Sequence, residues 1–215
     1  METNMTKPPA ICCLLVALLT CPVVAQDVAA DVRAASTSLF GENVGTVAPK
    51  HVSAMLTNLC PDAAFYTATM VVSPDELKDL PTANPPRLFV VLKSGQSFSL
   101  VTAKDVCAFI GGLKKPVADE LSAYKRALVF AELVGGTIRT AMPKRESIIT
   151  RYQTQKAEDW PIVIENAESR WNVSFTLMTD PEIEYCIRHT LRVEKDGKTV
   201  SIAEERTVYT YTMYE

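Results

Sequence analysis

Apolar and polar residues alternate most regularly near the C-terminal end of the chain. Ile183, Tyr185, Ile187, His189, Leu191 and Val193 interleave with Glu184, Cys186, Arg188, Thr190 and Arg192. That is the period of two of a strand with one face on a core. Trp171, Val173, Phe175 and Leu177 alternate in the same way with Asn172, Ser174 and Thr176. Lys195-Asp196-Gly197-Lys198 then separates Ile183–Val193 from Thr199–Tyr214, and Asp-Gly between alternating runs is a strong hairpin signal. The expectation is a three-stranded antiparallel meander over about 171–214.

Upstream the period lengthens. Val28, Val32, Ala35 and Leu39 fall at helical spacing within Asp27–Leu39, and Gly41 is placed to stop that helix. Pro49 is expected to open a second helix, carrying Val52, Met55, Leu56 and Leu59 and closed by Pro61. Phe65–Val72, rich in aromatic and β-branched residues, reads as a strand. Ser73-Pro74-Asp75-Glu76 has the cap, the first-turn proline and the capping-box glutamate of a helix start. A second hairpin near 87–101 is expected from Arg87–Leu92 and Ser97–Val101 around Lys93-Ser94-Gly95-Gln96.

Thr102 is placed to cap Ala103–Leu113, with Asp105 in the first turn. Pro116 is expected to begin a further helix with the stripe Val117, Leu121, Tyr124, Leu128, Ala131 and Val134, widened by Ala127 and Phe130. Gly135-Gly136 ends it. Pro161–Ile164 reads as a short strand, and Thr137–Asp159 fits helix and strand equally. Local hairpins with helices grouped before them define an α+β class, with helices packed on one face of an antiparallel sheet.

The first residues change the picture. Lys7, the apolar run Ala10–Leu19 and the small-residue end Val23-Val24-Ala25 read as a signal peptide over 1–25, with translation starting at Met1 or Met5. The run is about ten residues, too short to cross a bilayer as a helix, so no transmembrane segment is expected after cleavage. A different reading of the same stretch makes Cys21 a site of lipid attachment. Removing 25 residues leaves 190 of 215, enough for a single domain over 26–215 with any subdomain boundary near 137–160. The net charge of −3, from 22 basic and 25 acidic residues, offers no footprint for nucleic acid. A secreted or periplasmic protein is expected.

Three cysteines, Cys60, Cys107 and Cys186, follow the signal and allow one disulfide. No Cys-x-x-Cys or Cys/His cluster suggests a metal, and no nucleophile elbow, phosphate loop or dinucleotide fingerprint suggests a cofactor; neither is expected. The most suggestive position is His189. Closing the hairpin at Asp196-Gly197 pairs Val193 with Val200, Leu191 with Ile202, His189 with Glu204, Ile187 with Arg206 and Tyr185 with Val208. His189, Glu204 and Arg206, with Tyr185 beyond them, then form a candidate binding group. The plain alternative is a cross-strand ion pair. The apolar phase also changes from Val200 and Ile202 to Tyr209, Tyr211 and Met213, so a bulge is expected near Glu204–Arg206. Cys186 lies three residues from His189 and, on a strand, faces the other way; it reads as a disulfide half or a surface thiol.

These features suggest a non-catalytic module that binds a small ligand or a protein through the terminal sheet. A second reading is a small hydrolase or lyase using His189 with Glu204 or Glu205. A third is an envelope protein tethered through Cys21.

Overall fold

The computed structural model describes residues 22–71, 86–140, 160–180 and 185–209. In chain order these form α1 (Pro22–Phe40), β1 (Val44–Pro49), α2 (Ala54–Leu59), β2 (Ala63–Met70), β3 (Arg87–Leu92) and β4 (Ser97–Ser99). There follow α3 (Ala103–Gly112), α4 (Glu120–Leu133), β5 (Thr137–Arg139), β6 (Val163–Asn166), β7 (Arg170–Asp180), β8 (Tyr185–Glu194) and β9 (Val200–Tyr209). The helix start at Ser73, most of the ambiguous stretch before Asp159, Ile183, Glu184 and the chain beyond Tyr209 lie outside the described residues.

The fold is α+β. An N-terminal antiparallel sheet runs β1-β2-β3-β4, and a C-terminal sheet runs β5-β7-β8-β9, with β6 also paired to β7. The C-terminal strands make the expected meander, and β3–β4 make the expected second hairpin. Alternation sorts the N-terminal sheet into two faces. Tyr66, Ala68, Met70, Phe89 and Val91 join Val32 and Phe40 of α1 in one cluster. Phe65, Leu88, Val90 and Leu92 turn the other way, into the main core.

That core lies between the sheets. Phe109 of α3 meets Phe65 and Phe98 of the N-terminal sheet at 6.0 and 5.8 Å, and Phe130 of α4 meets Phe175 of the C-terminal sheet at 6.1 Å. The helices α3 and α4 are therefore a filling between two sheets, and α1 lies outside them. Burying large aromatic side chains on both sides makes this layer the main apolar contribution to stability.

Local chemistry explains where the helices begin. Thr102 caps α3 as expected, and it and Asp105 form a reciprocal capping box at 3.1 and 3.2 Å. Pro49 does not open a helix: it closes β1, a strand the sequence did not suggest, and α2 starts later, behind Ser53. The Ser53 hydroxyl accepts from Leu56 N at 3.2 Å, while Ser53 N and Oγ each donate to the Glu132 carboxylate at 2.6 Å. The α2 cap is thus fastened to the far end of α4.

The fourth helix also begins later than Pro116. Asp119 caps it, accepting from Ser122 N at 2.7 Å. Val117 packs from the preceding loop, and the expected stripe is met in part: Ala127, Phe130 and Ala131 are buried, joined by Ala123, Arg126, Val129 and Leu133, whereas Leu121 is 59% exposed.

The loop 114–118 locks the layers together. Val117 N donates to Lys195 O at 2.9 Å, and Trp171 Nε1 donates to Val117 O at 3.1 Å. Arg126 Nη2 donates to Lys115 O at 2.7 Å, and Lys115 Nζ donates to Leu59 O at the end of α2. The β8–β9 turn sits against this loop at Gly197, whose φ is +72° and where a Cβ would fall 1.8 Å from Lys115 O. Gly197→Ala is expected to cost about 3–5 kcal/mol in urea denaturation. Gly95→Ala, at φ +83° with open space around it, should cost only about 1–2 kcal/mol. Equal losses at the two sites would show that the loop contact does not matter.

Candidate functional site

The hairpin β8–β9 closes as expected near its turn, with Val193 opposite Val200 and Leu191 opposite Ile202. Ala203 is then an extra residue, so a bulge shifts the register by one. His189 opposes Glu205, not Glu204; Glu204 opposes Thr190, Arg206 opposes Arg188, and Ile187 opposes Thr207. A second shift places Cys186 opposite Tyr209. The expected group of His189, Glu204 and Arg206 is therefore split between the faces of the sheet. Glu204 and Arg206 lie together on the outer face, 3.9 Å apart and both well exposed. The Tyr185 side chain lies outside the described residues.

His189 points into the core and is 4% exposed. Its ring stacks on Phe175, with centroids 5.9 Å apart and planes at 27°, and meets Phe130 edge-on at 5.4 Å. Glu205 Oε2 stands 3.6 Å from Nδ1, too far for a hydrogen bond, and Nδ1 has no hydrogen-bond partner among the described residues. Burial pushes the His189 pKa below the ordinary value, and the nearby Glu205 charge only partly opposes this. The imidazole is held neutral as an aromatic packing element. A general base instead needs a nitrogen within reach of substrate.

The cysteines are equally enclosed. Cys60 and Cys107 are thiols in the main core, both pushed up to about 11 by burial, the direction opposite to that of a nucleophile. With both of these as thiols, the one pairing that Cys60, Cys107 and Cys186 allow is not made. Cys186 is buried as well, correcting its reading as a surface thiol: Trp160 covers the outer face there, with Met178 and Val208 beside it. Arg126, 3% exposed, leaves Nη1 without a hydrogen-bond partner among the described residues. Its other contacts, with those of Lys115, brace the end of α2, where the helix dipole favours cations.

The outer edge of β9 is poorly suited to receiving another strand. Ala203 to Thr207 are exposed, and Glu204, Glu205 and Arg206 together with two bulges blunt the edge.

A site the sequence did not suggest lies on the other sheet. Between α1 and the end of the N-terminal sheet is a cleft of about 700 Å³. Small side chains open it: Ala34, Ala35 and Ser38 on the helix oppose Ala64 and Ser97 on the sheet, with Val91 beside them. The charged residues Asp31, Asp62 and Lys93 also line it. Paired small residues at 34–35 and 63–64 are visible in the sequence, but only the strand register reveals that they face each other. Among the described residues no group of His, Cys, Asp and Glu is arranged to hold a metal, and no helix is long and apolar enough to cross a membrane.

Comparison of the chain with protein-family models, curated proteins and solved structures gives no match.

The burial of His189 has a measurable consequence. The folded protein resists protonating this ring, whereas the unfolded chain protonates it near the ordinary histidine value of 6.5. Unfolding then takes up a proton, so stability falls as pH drops below 6.5, by no more than about 1.4 kcal/mol per pH unit for one proton. His189→Phe, which keeps an aromatic ring and cannot titrate, should flatten this slope in urea midpoints measured from pH 7 to 5. An unchanged slope would place the titrating group elsewhere.

Proposed function

We propose that the protein is an exported, non-catalytic binding module whose ligand seats in the cleft between α1 and the N-terminal sheet. The observation that carries this is the cleft itself. Its volume of about 700 Å³ falls within the roughly 300–1,000 Å³ of small-molecule sites, and it joins an apolar lining to a few polar groups, as such sites do. The enclosed ring of His189 and the raised thiols of Cys60 and Cys107 favour binding over turnover. The terminal sheet is the weaker binding surface, because its charged residues are divided between two faces.

Export is supported by the pattern of Lys7, Ala10–Leu19 and Val23-Val24-Ala25. The α1 residues that pack on the sheet, Val32, Ala35, Leu39 and Phe40, all follow Ala25. Cleavage there keeps the cleft's helical wall.

Two measurements test the reading. The mature protein is expected to begin at Gln26 by mass spectrometry; a mature chain beginning at an acylated Cys21 would replace the cleaved form with a lipid-tethered one. The neutral dye Nile red is expected to bind the full chain at one equivalent, with a rise in fluorescence. Ala64→Phe, which fills the cleft from an exposed strand position, should abolish that rise with little change in melting temperature. Undiminished dye binding by a folded Ala64→Phe variant would remove the cleft as the site.

A further inference from the structure

The cleft's lining and its charges differ in a way that selects among ligands. Ala35, Ala64 and Val91 give methyl and methylene surface, while the charge comes from Asp31, Asp62 and Lys93. Lys93 Nζ lies 2.9 Å from Asp62 Oδ1, so its ammonium is already matched to that carboxylate. Asp31 makes no ion pair among the described residues. Two carboxylates against one ammonium leave the site with a surplus of negative charge.

We propose that the ligand of this cleft is a small amphipathic cation, with an amine head beside Asp31 and an apolar chain or ring against Ala35, Ala64 and Val91. This rests on the cleft being the binding site, and it adds the chemical class of what binds. A basic head gains a partner in Asp31 without disturbing any existing pair. An anionic head would have to draw Lys93 away from Asp62 and would still face the Asp31 carboxylate. Both groups of the Lys93–Asp62 pair are well exposed, so the attraction is the modest one of surface charges. The apolar lining then supplies most of the affinity, and the charge supplies the choice of head group.

The test titrates the full chain by calorimetry with octylammonium, octanoate and neutral octanol, each below its aggregation limit. Octylammonium is expected to bind tightest, about fivefold better than octanoate, as one exposed charge pair allows. The difference should shrink as salt is raised from low to physiological concentration. Asp31→Asn should erase the preference. Octanoate binding as tightly as octylammonium or tighter, and blocked by Ala64→Phe, would overturn the assignment of a cation while leaving the cleft as the site. Binding by none of the three, or binding of all three unchanged in Ala64→Phe, would remove the cleft and the cation together.

Discussion

The loop between α3 and α4 is the joint on which the rest of the molecule depends. Through Val117 it is hydrogen-bonded to the β8–β9 turn and to the Trp171 side chain. Through Lys115 it reaches the end of α2 and accepts from Arg126 of α4. No residue but glycine fits at the point of closest approach: a Cβ on Gly197 would meet a carbonyl at 1.8 Å, and the backbone there is left-handed. One short stretch therefore connects the helical layer, the C-terminal sheet and the second helix.

The parts of the fold that could be read from sequence are those specified by neighbours in the chain. The hairpin at Asp196-Gly197, the cap at Thr102, and the stop at Gly135 depend on residues a few positions apart. The elements that depart from the local pattern depend on distant partners. Pro49 has the chemistry of a helix start, yet pairing of β1 with β2 makes it the end of a strand. Val117 matches the helical stripe in spacing, yet its backbone is taken up by Lys195, nearly eighty residues away. The sandwiching of α3 and α4 between two sheets is likewise set by contacts such as Phe109 with Phe65 and Phe130 with Phe175.

The site followed the same division. A bulge was legible from the change of apolar phase, but its position at Ala203 was not, and one residue decided which glutamate meets His189. The alternation placing His189 with Leu191 and Val193 was sound, and its consequence is burial. A histidine in the apolar register of a central strand becomes packing material when an aromatic helix residue, here Phe130, covers it. The cleft, by contrast, leaves along the chain only its pairs of small residues, because its walls come from a helix and one end of a sheet that meet only in three dimensions.

The close approach of Gly111 to the hairpin also bears on the order in which the chain assembles. A Cβ there would lie 2.8 Å from Lys198 O, so the end of α3 and the turn region of β8–β9 touch backbone to backbone. The hairpin can form from its own residues, and the N-terminal sheet offers Phe65 and Phe98 to α3 early, but the other side of its seat exists only once the chain has been made through β9. Contacts so distant along the chain are slow to find. During synthesis the middle helices must wait, with the apolar face that meets the C-terminal sheet uncovered, for β7, β8 and β9 to arrive. A chain shortened at its C-terminal end would keep that exposed surface for good, and aggregation rather than a smaller stable fragment is the natural outcome.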